Sequence, residues 1–171
     1  MKRRILVLTS LIYIACLLQS TVVDFIEIAG IRPNLLIVGA VAIALCRRDM
    51  ESAYMGLFFG LAMDILVGRA LGWYAMLLFL VCFCIGMLNP KLYKDNLLVP
   101  IFFVFVSSIS VEMMIYFIYS FLKGYPDMIF VLTSLIFPES IYNALLAIPI
   151  YPLVVRIYKK LDKYDYVHAR L

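Results

Sequence analysis

Six long apolar stretches, separated by short polar turns, run along the chain. They occupy about residues 5–23, 33–46, 53–68, 73–88, 97–122 and 129–155. A helix pairs its own backbone groups inside lipid, whereas the strands of a membrane barrel alternate apolar and polar residues. Because these stretches are continuous, they predict one membrane domain, residues 1–171, built as an all-α bundle of six transmembrane helices.

The second and third stretches are short for a membrane span. Their 14 and 16 residues would reach about 21 and 24 Å at a rise of about 1.5 Å per residue, against a hydrocarbon core of about 30 Å. Two explanations are open from the sequence: re-entrant helices, or short helices packed inside the bundle.

The distribution of basic residues favours six complete crossings. With the N-terminus inside, the cytoplasmic segments hold twelve Lys and Arg residues: Lys2, Arg3, Arg4, Arg47, Arg48, Lys91, Lys94, Arg156, Lys159, Lys160, Lys163 and Arg170. The outer turns hold three: Arg32, Arg69 and Lys123. Without the second and third crossings, the split would weaken to ten against five. Because positive charge concentrates on the cytoplasmic side, we expect both termini there, including a basic tail at 156–171.

Composition narrows the class of protein further. Apolar residues make up 65% of the chain and charged residues 15%, where soluble proteins have about 45–50% and about 25%. The mean hydropathy is +1.02, and the net charge is only +4. These values indicate an integral membrane protein in contact with lipids. They leave no room for a soluble catalytic domain or a module that binds nucleic acid.

Catalytic signatures are missing from the predicted spans. The single histidine, His168, lies in the tail, so no Ser–His pair or histidine metal site can form within the membrane. The chain has no glycine-rich phosphate loop. Asp64 has neither a Gly-x-Gly-Asp context nor a second aspartate in a span. We therefore expect a protein that is not an enzyme and that binds no metal or cofactor.

Three carboxylates fall within predicted spans, where an ionisable group is costly and points to a function. They are Asp64, Glu112 and Glu139. Glu112 follows Ser108 by one turn, which gives the fifth span a polar stripe. Glu139 lies between Pro138, which lacks a backbone donor and predicts a kink, and Asn143.

Asp64 belongs to a stripe of small residues on the third stretch. The stripe consists of Gly56, Gly60, Asp64 and Gly68, spaced by four residues, with Gly72 beyond it. Such glycines let another backbone approach closely. Either Asp64 caps or hydrogen-bonds a neighbouring helix, or it meets a polar group of a partner. In the second case, Arg32 and Arg69 are its candidate counter-ions.

Three local signatures resemble the rod shape-determining MreD family. Arg32-Pro33-Asn34-Leu35 opens the second stretch as the family's Arg-Pro-Asp-Leu does, with Asn34 in place of the aspartate. Gly56-x-x-x-Gly60-Leu61-x-x-Asp64, followed by Gly68 and Leu71-Gly72, resembles its glycine-rich third span. The segment from Pro138 through Ala147, which includes Asn143, resembles its last helix.

The resemblance implies a non-enzymatic scaffold subunit of the bacterial cell-elongation machinery, in the cytoplasmic (inner) membrane. It implies MreC as the direct partner, with MreB, RodA and the penicillin-binding transpeptidase of RodA as indirect partners. It also implies a fold like that of the S components of energy-coupling-factor transporters, which are six-helix bundles. The candidate residues for partner binding or a polar pocket are Arg32, Pro33, Asn34, Gly56, Gly60, Asp64, Gly68, Gly72, Glu112, Glu139 and Asn143.

The likeness to S components supplies an alternative function, a vitamin-binding subunit of such a transporter. Asp64, Glu112 and Glu139 would then line an outward-opening pocket. Against it, the first stretch has no repeated Ala-x-x-x-Ala for docking a coupling protein. The glycine stripe instead offers a packing face for a transmembrane helix, which favours the scaffold.

Overall fold

Six helices make up most of the described chain. The computed structural model describes residues 2–28, 30–67, 71–88, 96–123 and 128–168. The helices are α1 (Lys2–Thr21), α2 (Leu35–Cys46), α3 (Asp49–Val67), α4 (Trp73–Leu88), α5 (Leu98–Lys123) and α6 (residues 128–168). Within these ranges there is no strand, only an isolated bridge between Ile28 and Ile31. The predicted all-helical class is confirmed.

The short helix α2 lies at the centre of the bundle. Ten consecutive residues, 36–45, are buried, and α1, α3, α4, α5 and α6 all pack against α2. A helix that is apolar on every side is stable only when other helices surround it or when it lies in lipid. The sequence left two explanations for the short second stretch. The packing of α2 supports the second, a short helix packed inside the bundle.

Helix α6 runs without a break through three hydrogen-bonding patterns. An α-helical turn, Met128–Val131, leads into a π-helical segment, Leu132–Ile136, and then into the α-helix Phe137–His168. The N–H of Phe137 donates to the carbonyl of Leu132, five residues earlier. Pro138 comes next, and its ring would clash with the carbonyl four residues before it in a regular α-helix. The wider π turn thus lies where the sequence predicts a kink, and the helix continues past the proline.

Helix α6 extends beyond the apolar stretch of the predicted sixth span. Hydropathy places the end of the sixth stretch at about residue 155, whereas the helix continues to His168. Beyond residue 155, Tyr158 and Leu161 are still buried. Since one face of the helix keeps packing against the bundle, helical structure persists where the average hydropathy has already fallen.

Within the described residues, three helices are long and apolar enough to cross a membrane by themselves. The qualifying segments are Met50–Val67, Leu98–Ser120 and Met128–Lys163. Three apolar segments of the described chain are shorter: Leu6–Thr21, Leu35–Cys46 and Trp73–Leu88. Large apolar side chains such as Phe25, Ile129 and Leu71 are at least three-quarters exposed, as expected where lipid rather than water surrounds a protein.

Candidate functional site

Asp64 holds the start of α4. Its buried carboxylate accepts three backbone hydrogen bonds. Oδ2 accepts from the N–H groups of Gly72 (2.8 Å) and Ala75 (3.2 Å), and Oδ1 accepts from that of Tyr74 (3.1 Å). The first N–H groups of a helix have no partner within the helix and favour negative charge. The sequence left two roles open for Asp64. These contacts match the role of a cap on a neighbouring helix.

The small residues of α3 pack directly on α4. A Cβ atom on Gly60 would lie 2.6 Å from the carbonyl oxygen of Tyr74, and one on Gly56 would lie 2.8 Å from Cβ of Cys82. One turn earlier, the hydroxyl of Ser52 donates to the carbonyl of Cys82 at 2.9 Å. A single face of α3, which α4 covers, therefore carries Ser52, Gly56, Gly60 and Asp64.

The turn between α3 and α4 completes this arrangement. Gly72 has φ +104°, a conformation that residues with a side chain rarely adopt. This conformation accompanies the hydrogen bond from its N–H to Asp64. The predicted stripe member Gly68 and the candidate counter-ion Arg69 lie outside the described residues. Arg32, the other candidate, forms an ion pair with Glu27 at 2.6 Å, with both side chains partly exposed.

A second polar cluster joins three helices around Asn143 of α6. Its Oδ1 accepts from the backbone N–H of Asn34 at 2.6 Å, and its Nδ2 donates to Oγ of Ser108 on α5 at 3.1 Å. Asn34 is the N-cap of α2, since its Oδ1 accepts from the N–H of Ile37 at 3.2 Å. Asn34, Ser108 and Asn143 are all buried. The structure thus brings together residues that the sequence places in separate signatures.

Gln19 is part of this cluster and was not singled out from the sequence. Its Nε2 donates to the carbonyl of Pro33 at 3.1 Å, and its Oε1 accepts from the N–H of Leu35 at 2.7 Å. Gln19 thereby ties α1 to the start of α2. It is the only glutamine of the chain and lies within an apolar stretch, which is the signal that could have identified it.

Glu112 and Glu139 face one cavity between α4, α5 and α6. The cavity has a volume of about 360 Å³ and is lined by Tyr74, Glu112, Ile115, Tyr116, Tyr119, Val131, Leu135, Ile136 and Glu139. The hydroxyl of Tyr74 donates to Oε2 of Glu112 at 3.3 Å. Because the backbone of Tyr74 also binds Asp64, this tyrosine connects the helix cap to the cavity.

A cluster around Arg47 connects the turn between α2 and α3 to the distal part of α6. The guanidinium forms ion pairs with Asp162 and, at 3.5 Å, with Glu51, and it lies 4.5 Å from the centre of the Tyr158 ring. Burial lowers the pKa of Arg47, but the hydrogen bond to Asp162 and the nearby negative charges outweigh it, so the pKa is raised overall. From the sequence, Arg47 was identified only as one of the basic residues that indicate the membrane topology.

The clusters hold the described helices together through hydrogen bonds. Among the described residues, no group of three or more His, Cys, Asp or Glu side chains is placed to hold a metal ion. Asp64, Asn34 and Asn143 use their polar atoms to join one helix to another. Together with described helices that are long and apolar enough to cross a bilayer, this defines a helical membrane protein.

The comparison with family models identifies the family. The model described as rod shape-determining protein MreD matches residues 1–161. The chain therefore belongs to the MreD family of membrane proteins that determine rod shape, and the family predicted from the sequence is confirmed. Neither a curated protein nor a solved structure matches the chain.

Proposed function

We propose that this protein is a non-enzymatic scaffold subunit of the bacterial elongation complex in the cytoplasmic membrane, with MreC as its direct partner. The proposal rests on one observation: the buried polar groups form hydrogen bonds that join one helix to another. Asp64 caps α4, and Asn143 joins α2 to α5. Such bonds make a bundle rigid, and a rigid bundle is what a scaffold requires.

The proposed topology has six crossings with both ends of the chain in the cytoplasm. Three helices reach the length of a span, and the twelve-residue α2, at about 18 Å, crosses only part of the bilayer. Because α2 is enclosed by other helices, its ends need not reach the lipid headgroups. The ion pair of Glu27 with Arg32 then lies outside, and Arg47 lies inside.

Labelling of single cysteines in intact cells tests this topology. The four native cysteines are first replaced by alanine or serine, and a membrane-impermeant maleimide is then applied to Glu27→Cys and Arg48→Cys variants. We expect labelling of the Glu27 position only, with both positions labelled after lysis. Labelling of both positions in intact cells would contradict the six-span arrangement.

The scaffold role is tested by depletion in a rod-shaped host that carries this chain as its sole MreD protein. We expect depleted cells to become spherical and a tagged copy to co-purify with MreC. Gly60→Leu should abolish rescue and co-purification, since its side chain would collide with the backbone of α4. Glu27→Gln, on an exposed loop, is the matched control and should restore rods. Normal rods after depletion would refute the proposal.

A second candidate function is capture of a small ligand, as in the S components of vitamin transporters. The cavity at Glu112 and Glu139 supports it, because about 360 Å³ is within the range of small-molecule sites. A deletion strain that keeps its rod shape but requires a vitamin would favour this candidate. Tight binding of that vitamin by the purified protein would then establish it.

A further inference from the structure

We propose that the cavity between α4, α5 and α6 binds the ammonium group of an organic cation, with Glu112 and Glu139 supplying the negative charge. This inference does not depend on the shape-determining role of the protein. It concerns a site whose ligand chemistry follows from the side chains that line it.

The charge of the lining selects a cation. Glu112 and Glu139 come from two different helices and face the same space. Two carboxylates that share a site of low polarity disfavour each other's charged form, and a cation between them relieves this repulsion. None of the described lining residues is a lysine or an arginine. An anionic ligand would find no complementary charge on the described walls.

The remaining lining residues select an organic cation. Tyr74, Tyr116 and Tyr119 contribute aromatic rings, and ammonium groups are attracted to the faces of such rings. Ile115 and Leu135 provide apolar surface for a hydrocarbon portion of the ligand. The volume of about 360 Å³ is far more than a bare metal ion needs and suits a small organic molecule.

The π-helical segment of α6 shapes one wall of this cavity. Leu135 and Ile136 belong to Leu132–Ile136 and line the cavity, and Glu139 follows Ile136 by less than one turn. A π turn changes the direction in which the following side chains point, and such turns are frequent at functional sites. The irregularity near Pro138 thus lies beside the cavity that contains Glu139.

Binding measurements on the purified full-length protein in neutral detergent test this site. The soluble probe is 2-phenylethylamine, and its uncharged analogue 2-phenylethanol is the ligand control. The lipid probe is phosphatidylethanolamine, whose headgroup carries the same ammonium chemistry, and phosphatidylglycerol is the lipid control. Titrations read by thermal stability and by native mass spectrometry give an apparent Kd for each.

We expect at least one ammonium probe to bind and its neutral or anionic control not to bind. Binding of 2-phenylethylamine identifies a site for soluble amines. Binding of phosphatidylethanolamine alone identifies a lipid headgroup site. In Glu112→Gln and Glu139→Gln the apparent Kd should weaken by about tenfold or more, since a hydrogen bond to a charged group is lost. The surface variant Glu27→Gln should bind as the unchanged protein does.

A cavity-filling variant keeps the proposal testable if the glutamine variants do not fold. Leu135 is about half exposed, so Leu135→Trp should narrow the cavity without disturbing the core and should weaken binding while both carboxylates remain. The proposal is overturned if neither ammonium probe binds. It is also overturned if 2-phenylethanol binds equally well, or if all folded variants bind with unchanged Kd.

Discussion

The side-chain oxygen of Asn143 accepts a 2.6 Å hydrogen bond from the backbone N–H of Asn34, which lies 109 positions earlier in the chain. This bond fixes the start of the central helix α2 against α6. The side chain of Asn34 meanwhile caps α2 through the N–H of Ile37, a role that aspartate fills equally well. The asparagine at a position where the family often has aspartate is therefore compatible with the same cap.

Replacement of Asn143 by alanine should destabilise the bundle by about 1–3 kcal/mol, because it leaves the buried N–H of Asn34 and the hydroxyl of Ser108 without this partner. Unfolding in detergent, followed by circular dichroism, measures the change. Ser110→Ala is the control, since Ser110 is exposed and its hydroxyl donates to the carbonyl of Val106 on its own helix. Equal stability of the two variants would contradict this role of Asn143.

Replacement of Asp64 by asparagine should loosen the first turn of α4. Asparagine keeps one acceptor oxygen, so its NH₂ group would face at least one of the N–H groups of Gly72, Tyr74 and Ala75. We expect a loss of about 1–3 kcal/mol and faster amide hydrogen exchange at Tyr74 and Ala75. If the amides of Tyr74 and Ala75 exchange as slowly as in the original protein, the cap does not need the second carboxylate oxygen.

Replacement of Gly60 by alanine should cost more than the same change at Gly39. A Cβ at Gly60 meets backbone atoms of Tyr74 and Ala75, which cannot move without separating α3 from α4. A Cβ at Gly39 meets the ring of Phe59 at 2.9 Å, and a side chain can shift. We expect a destabilisation of about 1–3 kcal/mol for Gly60→Ala, measured by thermal unfolding in detergent. A larger loss for Gly39→Ala would refute the close approach of the two helices.

Replacement of Arg47 by lysine should weaken the attachment of the distal part of α6. Lysine keeps the positive charge but loses the planar contact with Tyr158 and the geometry of the bond to Asp162. Because Asp162 is about half exposed, water screens the pair, and we expect a cost of only about 0.5–1 kcal/mol. A double-mutant cycle of Arg47→Lys with Asp162→Asn measures the coupling. Strict additivity would show that lysine pairs with Asp162 as well as arginine does.

Some residues of the clusters could be found from the sequence because each stands out locally. Asp64, Glu112 and Glu139 are ionisable groups in apolar stretches, and the spacing of Gly56 and Gly60 places them on one helix face. Gln19, Ser52 and Arg47 were missed as members of clusters. Gln19 does have a local signal as the only glutamine of the chain. The roles of all three nevertheless depend on Leu35, Cys82 and Asp162, which lie on other parts of the chain.

By itself, the sequence determined the helical class, the membrane character and the family, because hydropathy and the spacing of small residues are properties of neighbouring positions. Only the tertiary structure decided that α4 covers the glycine stripe and that Asp64 caps α4. It also decided that Glu112 and Glu139 face one cavity. These relationships depend on how helices distant in the chain pack and turn toward each other, and the periodicity of a single helix does not specify its neighbour.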